Sequence, residues 1–138
     1  MTSGTVRRAA RVLVVDDEPL VADAIRLVLN DEFDVATTTD PAQALVWLTS
    51  DTWYDVILCD VMMPKMNGVE LRNRVHAKNP ALAARIIFVT GGILMASVHA
   101  LLEGVPNLVL AKPFDFASLR DLIRRRTLAA TSTKAGPA

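Results

Sequence analysis

Four short apolar runs, each closed by polar residues, punctuate this chain: Val12–Val15 before Asp16-Asp17, Val56–Cys59 before Asp60, Ile86–Val89 before Thr90, and Leu108–Ala111 before Lys112-Pro113. Each is too short for a helix that could bury itself, and each is rich in Val, Ile or Leu. That is the pattern of a parallel strand covered on both faces. A fifth run, Phe33–Thr38, is more polar, as an edge strand would be. Helical spacing fills the intervals. Pro19 suits the first turn of a helix, where its missing N–H costs nothing, and Leu20, Ala24, Leu27 and Val28 carry that helix to about Asn30. Asp40-Pro41 reads as an N-cap and first-turn proline opening a helix through Ala44, Leu45 and Leu48. Pro64 and Asn67-Gly68 mark a loop after Asp60, and the helix that follows carries Val69, Arg72 and Val75 and fades near Asn79-Pro80. A fourth helix, about Ser97–Glu103, stops at Gly104. Asp115 caps a fifth through Leu119, Leu122 and Ile123, with Arg124, Arg125 and Arg126 in its final turns.

Strands and helices thus alternate five times. Such alternation implies right-handed crossovers and an α/β doubly wound parallel sheet, in the flavodoxin-like order 2-1-3-4-5 with five helices. The organisation expected is a flexible N-terminus over residues 1–10, one domain over 11–128, and a disordered tail over 129–138. In an open parallel sheet the carboxyl ends of the strands border the ligand crevice. Asp16, Asp17, Asp60, Thr90 and Lys112 should therefore converge there. Three carboxylates suit a hard divalent cation, and a hydroxyl and an ammonium suit an anion such as a phosphoryl group.

Composition narrows the picture without changing it. The 138 residues are one domain's length, and 51% hydrophobic residues with 5% aromatic ones give a mainly aliphatic core. Fifteen basic residues balance fifteen acidic ones, so no net field draws the chain to nucleic acid or an anionic membrane. The single cysteine, Cys59, excludes an internal disulfide and a cysteine-based zinc cage, reads as a small buried hydrophobe, and fits a reducing, cytoplasmic setting. No stretch approaches the roughly 20 apolar residues needed to span a bilayer. Arg7, Arg8 and Arg11 precede an apolar run that Asp16 cuts too short for a signal peptide.

The spaced motifs Asp16-Asp17, Asp60 followed by Met63-Pro64 and Asn67-Gly68, Thr90-Gly91, and Lys112-Pro113-Phe114 resemble those of the receiver domain of bacterial two-component response regulators, from about Arg11 to Arg126. The resemblance implies that Asp60 accepts a phosphoryl group from a phosphohistidine on a histidine kinase or phosphotransfer protein. It implies Mg²⁺ bound directly by Asp17 and Asp60, through water by Asp16, and by the backbone carbonyl of Met62. Lys112 would pair with a phosphoryl oxygen, its peptide bond to Pro113 would be cis, and Thr90 would report occupancy through its hydroxyl. A downstream protein target would read the result, with self-association as a homodimer left open. The implied chain is a switch that assists its own phosphorylation and hydrolysis, not an enzyme acting on an external substrate.

Two positions depart from the family's usual pattern. Val109 stands where a Tyr or Phe commonly precedes the lysine by three residues, which puts a ring-rotation switch in doubt. Gly92 stands where a larger or polar side chain is common, and Thr-Gly-Gly segments occur in receivers attached to hybrid histidine kinases. A stand-alone regulator is the first expectation, with no output domain after Arg126, and a receiver from a hybrid kinase the alternative. An aspartyl-phosphate phosphohydrolase is a further rival, but such enzymes carry a second Asp two residues after the nucleophile, where this chain has Met62. His76 and His99 have no partner at metal-ligand spacing and read as surface residues. Met62, Met63 and Met66 read as loop packing that can face a partner, and Trp47 and Trp53 as packing. Arg124–Arg126 read as cations favoured by a helix C-terminus.

Overall fold

The computed structural model describes residues 9–92 and 95–135. Five parallel strands, β1 (Arg11–Val15), β2 (Asp34–Thr38), β3 (Val56–Asp60), β4 (Ile86–Thr90) and β5 (Val109–Ala111), form one sheet in the order β2-β1-β3-β4-β5. The expected topology is therefore present. The helices are α1 (Pro19–Leu29), α2 (Pro41–Leu48), α3 (Gly68–Lys78), α4 (Pro80–Ala83), α5 (Ala96–Leu102) and α6 (Phe116–Ala135).

The sheet separates two apolar layers. Leu13, Val15, Ile57, Cys59, Ile86 and Phe88 face one cluster with Leu48, Leu71, Val75 and Val98. Val12, Val14, Val56, Leu58, Ile87 and Val89 face the other with Ala22, Ile25, Leu29, Leu119 and Ile123. Every residue of β3 and β4 is buried. Each buried aliphatic side chain contributes about 2 kcal/mol, so the two central strands are the stiff floor on which the polar strand ends stand. Trp47 and Trp53 pack against the first cluster, as expected of them. Among the described residues, no helix is long and apolar enough to cross a membrane.

Local chemistry explains most element ends. Asp40 Oδ1 accepts from Ala42 N at 3.0 Å and Asn67 Oδ1 from Glu70 N at 2.8 Å, capping α2 and α3. Asp115 receives Ala117 N and Ser118 N at the start of α6, and Gly104, with φ of 76°, follows α5 in the left-handed conformation that suits glycine.

Two expectations are corrected. Among the described residues six helices are present, not five, because Asn79-Pro80 does not merely end α3. Asn79 Oδ1 accepts from Leu82 N at 3.1 Å and Pro80 takes the first position, so the same pair opens the extra four-residue α4. The last helix continues to Ala135, so residues 129–135 are helical where a disordered tail was expected. No Gly or Pro interrupts that segment before Gly136. The three arginines are consequently mid-helix, and a helix C-terminus does not account for them. Arg124 instead forms a two-pronged ion pair with Glu32, while Arg120 donates to Val28 O at the end of α1 and meets Asp31 at 3.8 Å. These contacts tie α6 to α1. The expectation of a flexible residue 1–10 segment falls mainly on residues 1–8, outside those described.

Candidate functional site

The sheet register brings the strand-end polar residues together. β1 and β3 pair up to Val15 and Cys59, so Asp16 and Asp60 follow at matching heights on neighbouring strands. Asp60 itself pairs with Val89 on β4, and Thr90 with Ala111 on β5. Asp16, Asp17 and Asp60 each offer a carboxylate oxygen within 4.8 Å of the others. Asp16 is 2% exposed, Asp60 6% and Thr90 1%, unusual burial for polar side chains.

Asp16 is fully engaged. Its Oδ1 accepts from Glu18 N at 2.9 Å, securing the chain as it turns into α1, and its Oδ2 accepts from Lys112 Nζ at 3.0 Å. Lys112 Nζ lies 3.8 Å from Asp60 Oδ2, so the ammonium rests on Asp16 while still within ion-pair reach of Asp60. The Lys112-Pro113 peptide bond is cis, as expected. Burial acts to lower the lysine pKa, but the hydrogen bond to Asp16 and the charges of Asp60, Asp16 and Glu18 outweigh it and raise the pKa above its usual value.

The Asp60 carboxyl is strongly perturbed. Burial first, then the negative charge of Asp16, pushes its pKa up to about 7. Lys112 opposes the shift, Asp17 adds to it, and a backbone hydrogen bond from Met62 works against it. One ammonium does not offset three carboxylates, and the site is short of positive charge. The neighbouring Cys59 thiol is fully buried and its pKa is raised by burial and by the charges of Asp60 and Asp16, which keeps it a neutral core residue.

The loop after Asp60 is held closely against the strand end. Gly68 N donates to Val61 O at 2.8 Å, and a Cβ at position 68 would lie 2.4 Å from Asp60 O. In the sequence Asn67-Gly68 reads as a loop signal and as part of the family-like motif after Asp60. The close approach of two backbones, which demands glycine there, is not visible without the fold. Met63 and Met66 pack into the core, Met62 is 45% exposed, and Lys65 sits at the loop apex with φ of 71°. Thr90 Oγ1 accepts from Gly92 N at 3.0 Å, and Lys112 N donates to Thr90 O at 2.8 Å. His76 and His99 lie exposed on α3 and α5, away from this cluster.

Residues 12–124 match the response regulator receiver domain family. Among curated relatives, the chain is 32% identical over 116 residues to the C4-dicarboxylate transport transcriptional regulatory protein DctD of Pseudomonas aeruginosa, covering 83% of this chain and 24% of that protein. It is 32% identical over 117 residues to the DNA-binding response regulator MtrA of Mycolicibacterium smegmatis, covering 84% of this chain and 50% of that protein. The chain thus spans between a quarter and a half of the length of these relatives. Among solved structures, the receiver domain of sensor histidine kinase PA1611 from Pseudomonas aeruginosa PAO1, with a magnesium ion coordinated in its active site cleft, superposes with a TM-score of 0.75 at 27% identity, covering 86% of this chain and 98% of that one. The signal receiver domain of an HD domain-containing protein from Pseudomonas fluorescens Pf-5 gives a TM-score of 0.79 at 25% identity, covering 99% of this chain and 100% of that one. Matched through its sequence from the first strand into the last helix, and built on the same doubly wound sheet, this chain belongs to the response regulator receiver domain family of two-component systems.

Proposed function

We propose that the chain accepts a phosphoryl group on Asp60 from a phosphohistidine of a histidine kinase or phosphotransfer protein, and that occupancy alters a surface read by a downstream protein target. The observation that carries this reading is the cleft itself: three carboxylates within 4.8 Å of one another, with Lys112 between Asp16 and Asp60. In the transfer, an Asp60 carboxylate oxygen bonds to phosphorus while the P–N bond to the donor imidazole breaks, its electron pair remaining on the ring nitrogen. Lys112 leaves its contact with Asp16 to meet a phosphoryl oxygen, and Thr90 supplies a hydroxyl donor from the adjacent strand end.

The donor set also fits Mg²⁺. All-oxygen ligands and an unbalanced negative charge are what a hard cation requires, and Mg²⁺ keeps several waters and needs few protein ligands. Asp17 and Asp60 would hold it directly, Asp16 through water, with the Met62 carbonyl as a further ligand. Bound there, it supplies positive charge that offsets repulsion between the carboxylates and the incoming phosphoryl oxygens. Asp17→Ala is expected to lose the Mg²⁺-dependent shift of site amides in an NMR titration. An unchanged midpoint would place the metal elsewhere.

Receiver domains are signalling domains, and nothing here favours turnover on an external substrate. Met62 occupies the position where an aspartyl phosphohydrolase would carry its second carboxylate. The balanced charge favours protein partners over nucleic acid, in a cytoplasmic setting. A receiver of a hybrid histidine kinase is one setting for this switch, supported by the likeness to the PA1611 receiver; a regulator acting through a separate protein target is the other.

Intact mass spectrometry after incubation with acetyl phosphate and Mg²⁺ tests the reading. The wild-type chain is expected to gain one phosphoryl adduct and Asp60→Asn none. An adduct on the variant would remove Asp60 from its role. Fast multiple turnover by the wild type would indicate a hydrolase, and no adduct on it a receiver that only binds.

A further inference from the structure

β5 is the shortest strand of the sheet, yet Lys112 follows directly from it. Val109 and Leu110 are half-buried, Ala111 is exposed, and the strand pairs on one side only, with β4. Leu108, just before it, is 40% exposed. Apolar burial therefore does little to hold β5 in place. Its main-chain bonds to β4 include Phe88 N donating to Leu108 O at 2.9 Å and Lys112 N donating to Thr90 O at 2.8 Å. Before the first of these, a side chain extends the ladder. Asn107 Nδ2 donates to Ile86 O at 2.8 Å, on the first residue of β4, and to Ala83 O at 2.9 Å, on the last residue of α4. Asn107 Oδ1 accepts from Arg72 Nε of α3 at 3.1 Å. The two carbonyls can only accept and the guanidinium can only donate, so all three partners enforce one orientation of the amide.

Resting on the reading of Asp60 as phosphoryl acceptor with Lys112 as its counter-charge, we infer that Asn107 is a positioning residue whose amide sets the height at which β5 delivers Lys112 to the cleft. The strand between them is the connecting piece. Lys112 follows Asn107 in an extended chain, about 16 Å further along. A slip of one residue along β4 would turn every β5 side chain to the opposite face of the sheet. Lys112 Nζ would then leave Asp16 and Asp60, which it now meets at 3.0 and 3.8 Å. Asn107 resists that slip from outside the ladder. Its partners belong to α3, α4 and β4, so a displaced β5 would leave two carbonyls and a guanidinium without their bonds at once. The segment leading in supplies no such hold, since Gly104 takes a left-handed φ and Pro106 has no N–H to donate.

Hydrogen exchange in the free chain tests the anchor without any phosphoryl group, so its failure is distinct from failure of the Asp60 assignment. Asn107→Asp is nearly isosteric and keeps an acceptor for Arg72, but it has no N–H for either carbonyl. It is expected to speed exchange of the β5 and Lys112 amides about tenfold while β1, β3 and α1 keep their protection. Arg72→Leu leaves Asn107 in place and is expected to speed the same amides about threefold; it carries both arms if Asn107→Asp does not fold. Unchanged β5 exchange in both variants would overturn the inference, as would loss of protection spread evenly over the chain. The second arm reads the cleft. With acetyl phosphate and Mg²⁺, Asn107→Asp should lower the maximum rate of Asp60 labelling at least about tenfold. Its Mg²⁺ midpoint in an NMR titration should not weaken, because Asp17 and Asp60 are carried by β1 and β3. A weakened midpoint, or full-rate labelling despite fast β5 exchange, would overturn Asn107 as a positioning residue for Lys112. Absence of labelling in the wild type would count against Asp60 as acceptor and leave the free-chain arm to decide whether Asn107 anchors β5.

Discussion

Asp60→Asn is expected to fold more stably than the wild-type chain at neutral and alkaline pH without divalent cations. Burial and the charge of Asp16 raise the Asp60 pKa from 3.8 to about 7. The folded chain therefore binds more protons at this position than the unfolded chain between those two values, and stability falls as pH rises through that window. The favourable contribution of the protonated carboxyl is complete below pH 3.8 and lost above about pH 7. Asparagine is neutral throughout and avoids the loss. Lys112 does not lose its main partner in the variant, since Asp16 holds it at 3.0 Å. The gain at high pH should be about 2 kcal/mol, with allowance for solvent at the mouth of the cleft. Urea denaturation across pH measures it: the two chains should converge in acid and separate as pH rises. Mg²⁺ should stabilise the wild type and leave Asp60→Asn nearly unchanged. Equal stability of the two chains at alkaline pH would show that the carboxylate cluster stores no strain.

The parts of this arrangement that were legible in the sequence are those fixed by local pattern. Apolar runs of strand length, each closed by a polar residue, sufficed to place Asp16, Asp17, Asp60, Thr90 and Lys112 at one edge of one sheet, because parallel strands in this topology share a carboxyl end. Caps at Asp40 and Asp115 were readable for the same reason. Contacts made across the fold were not. Asn107 donates to Ala83 O and Ile86 O while accepting from Arg72, fastening the segment before β5 to α4 and α3, yet nothing in its neighbours signals this. Arg124 was read as a helix-end cation when its partner Glu32 lies on the turn after α1, 92 residues away, and Arg120 reaches back to Val28 O at the end of that helix. The position of Lys112 on Asp16 is likewise a property of the assembled cleft. Asn79-Pro80 failed differently: the same dipeptide ends one helix and starts another, and only the hydrogen bond from Leu82 distinguishes the cases.

The closest backbone approach at the site yields the other large effect. Gly68 begins α3 directly beneath the end of β3, where a Cβ would stand 2.4 Å from Asp60 O and 3.1 Å from Val61 Cα. Both obstacles are main chain, so no flexible side chain can move aside. The carbonyl belongs to Asp60, the proposed acceptor, which is paired to β4 through Val89 and cannot retreat without disturbing the central sheet. Gly68→Ala must therefore move the start of α3 outward and weaken the 2.8 Å bond from Gly68 N to Val61 O. Alanine's better helix propensity returns at most about 1 kcal/mol, and overpacking against fixed backbone costs about 2–3 kcal/mol, so the net expectation is a destabilised chain. The functional loss should be larger than the stability loss. Residues 61–67 hang between Asp60 and Gly68, and Met62, whose N–H supports the Asp60 carboxylate, lies in that span. Displacing it is expected to misalign the Asp60 carboxylate. Under conditions where the variant remains folded, labelling of Asp60 by acetyl phosphate with Mg²⁺ should fall at least about tenfold, since small misplacements of reacting groups have large effects on rate. A Gly68→Ala chain with wild-type stability and wild-type labelling would show that the loop has room this geometry denies it.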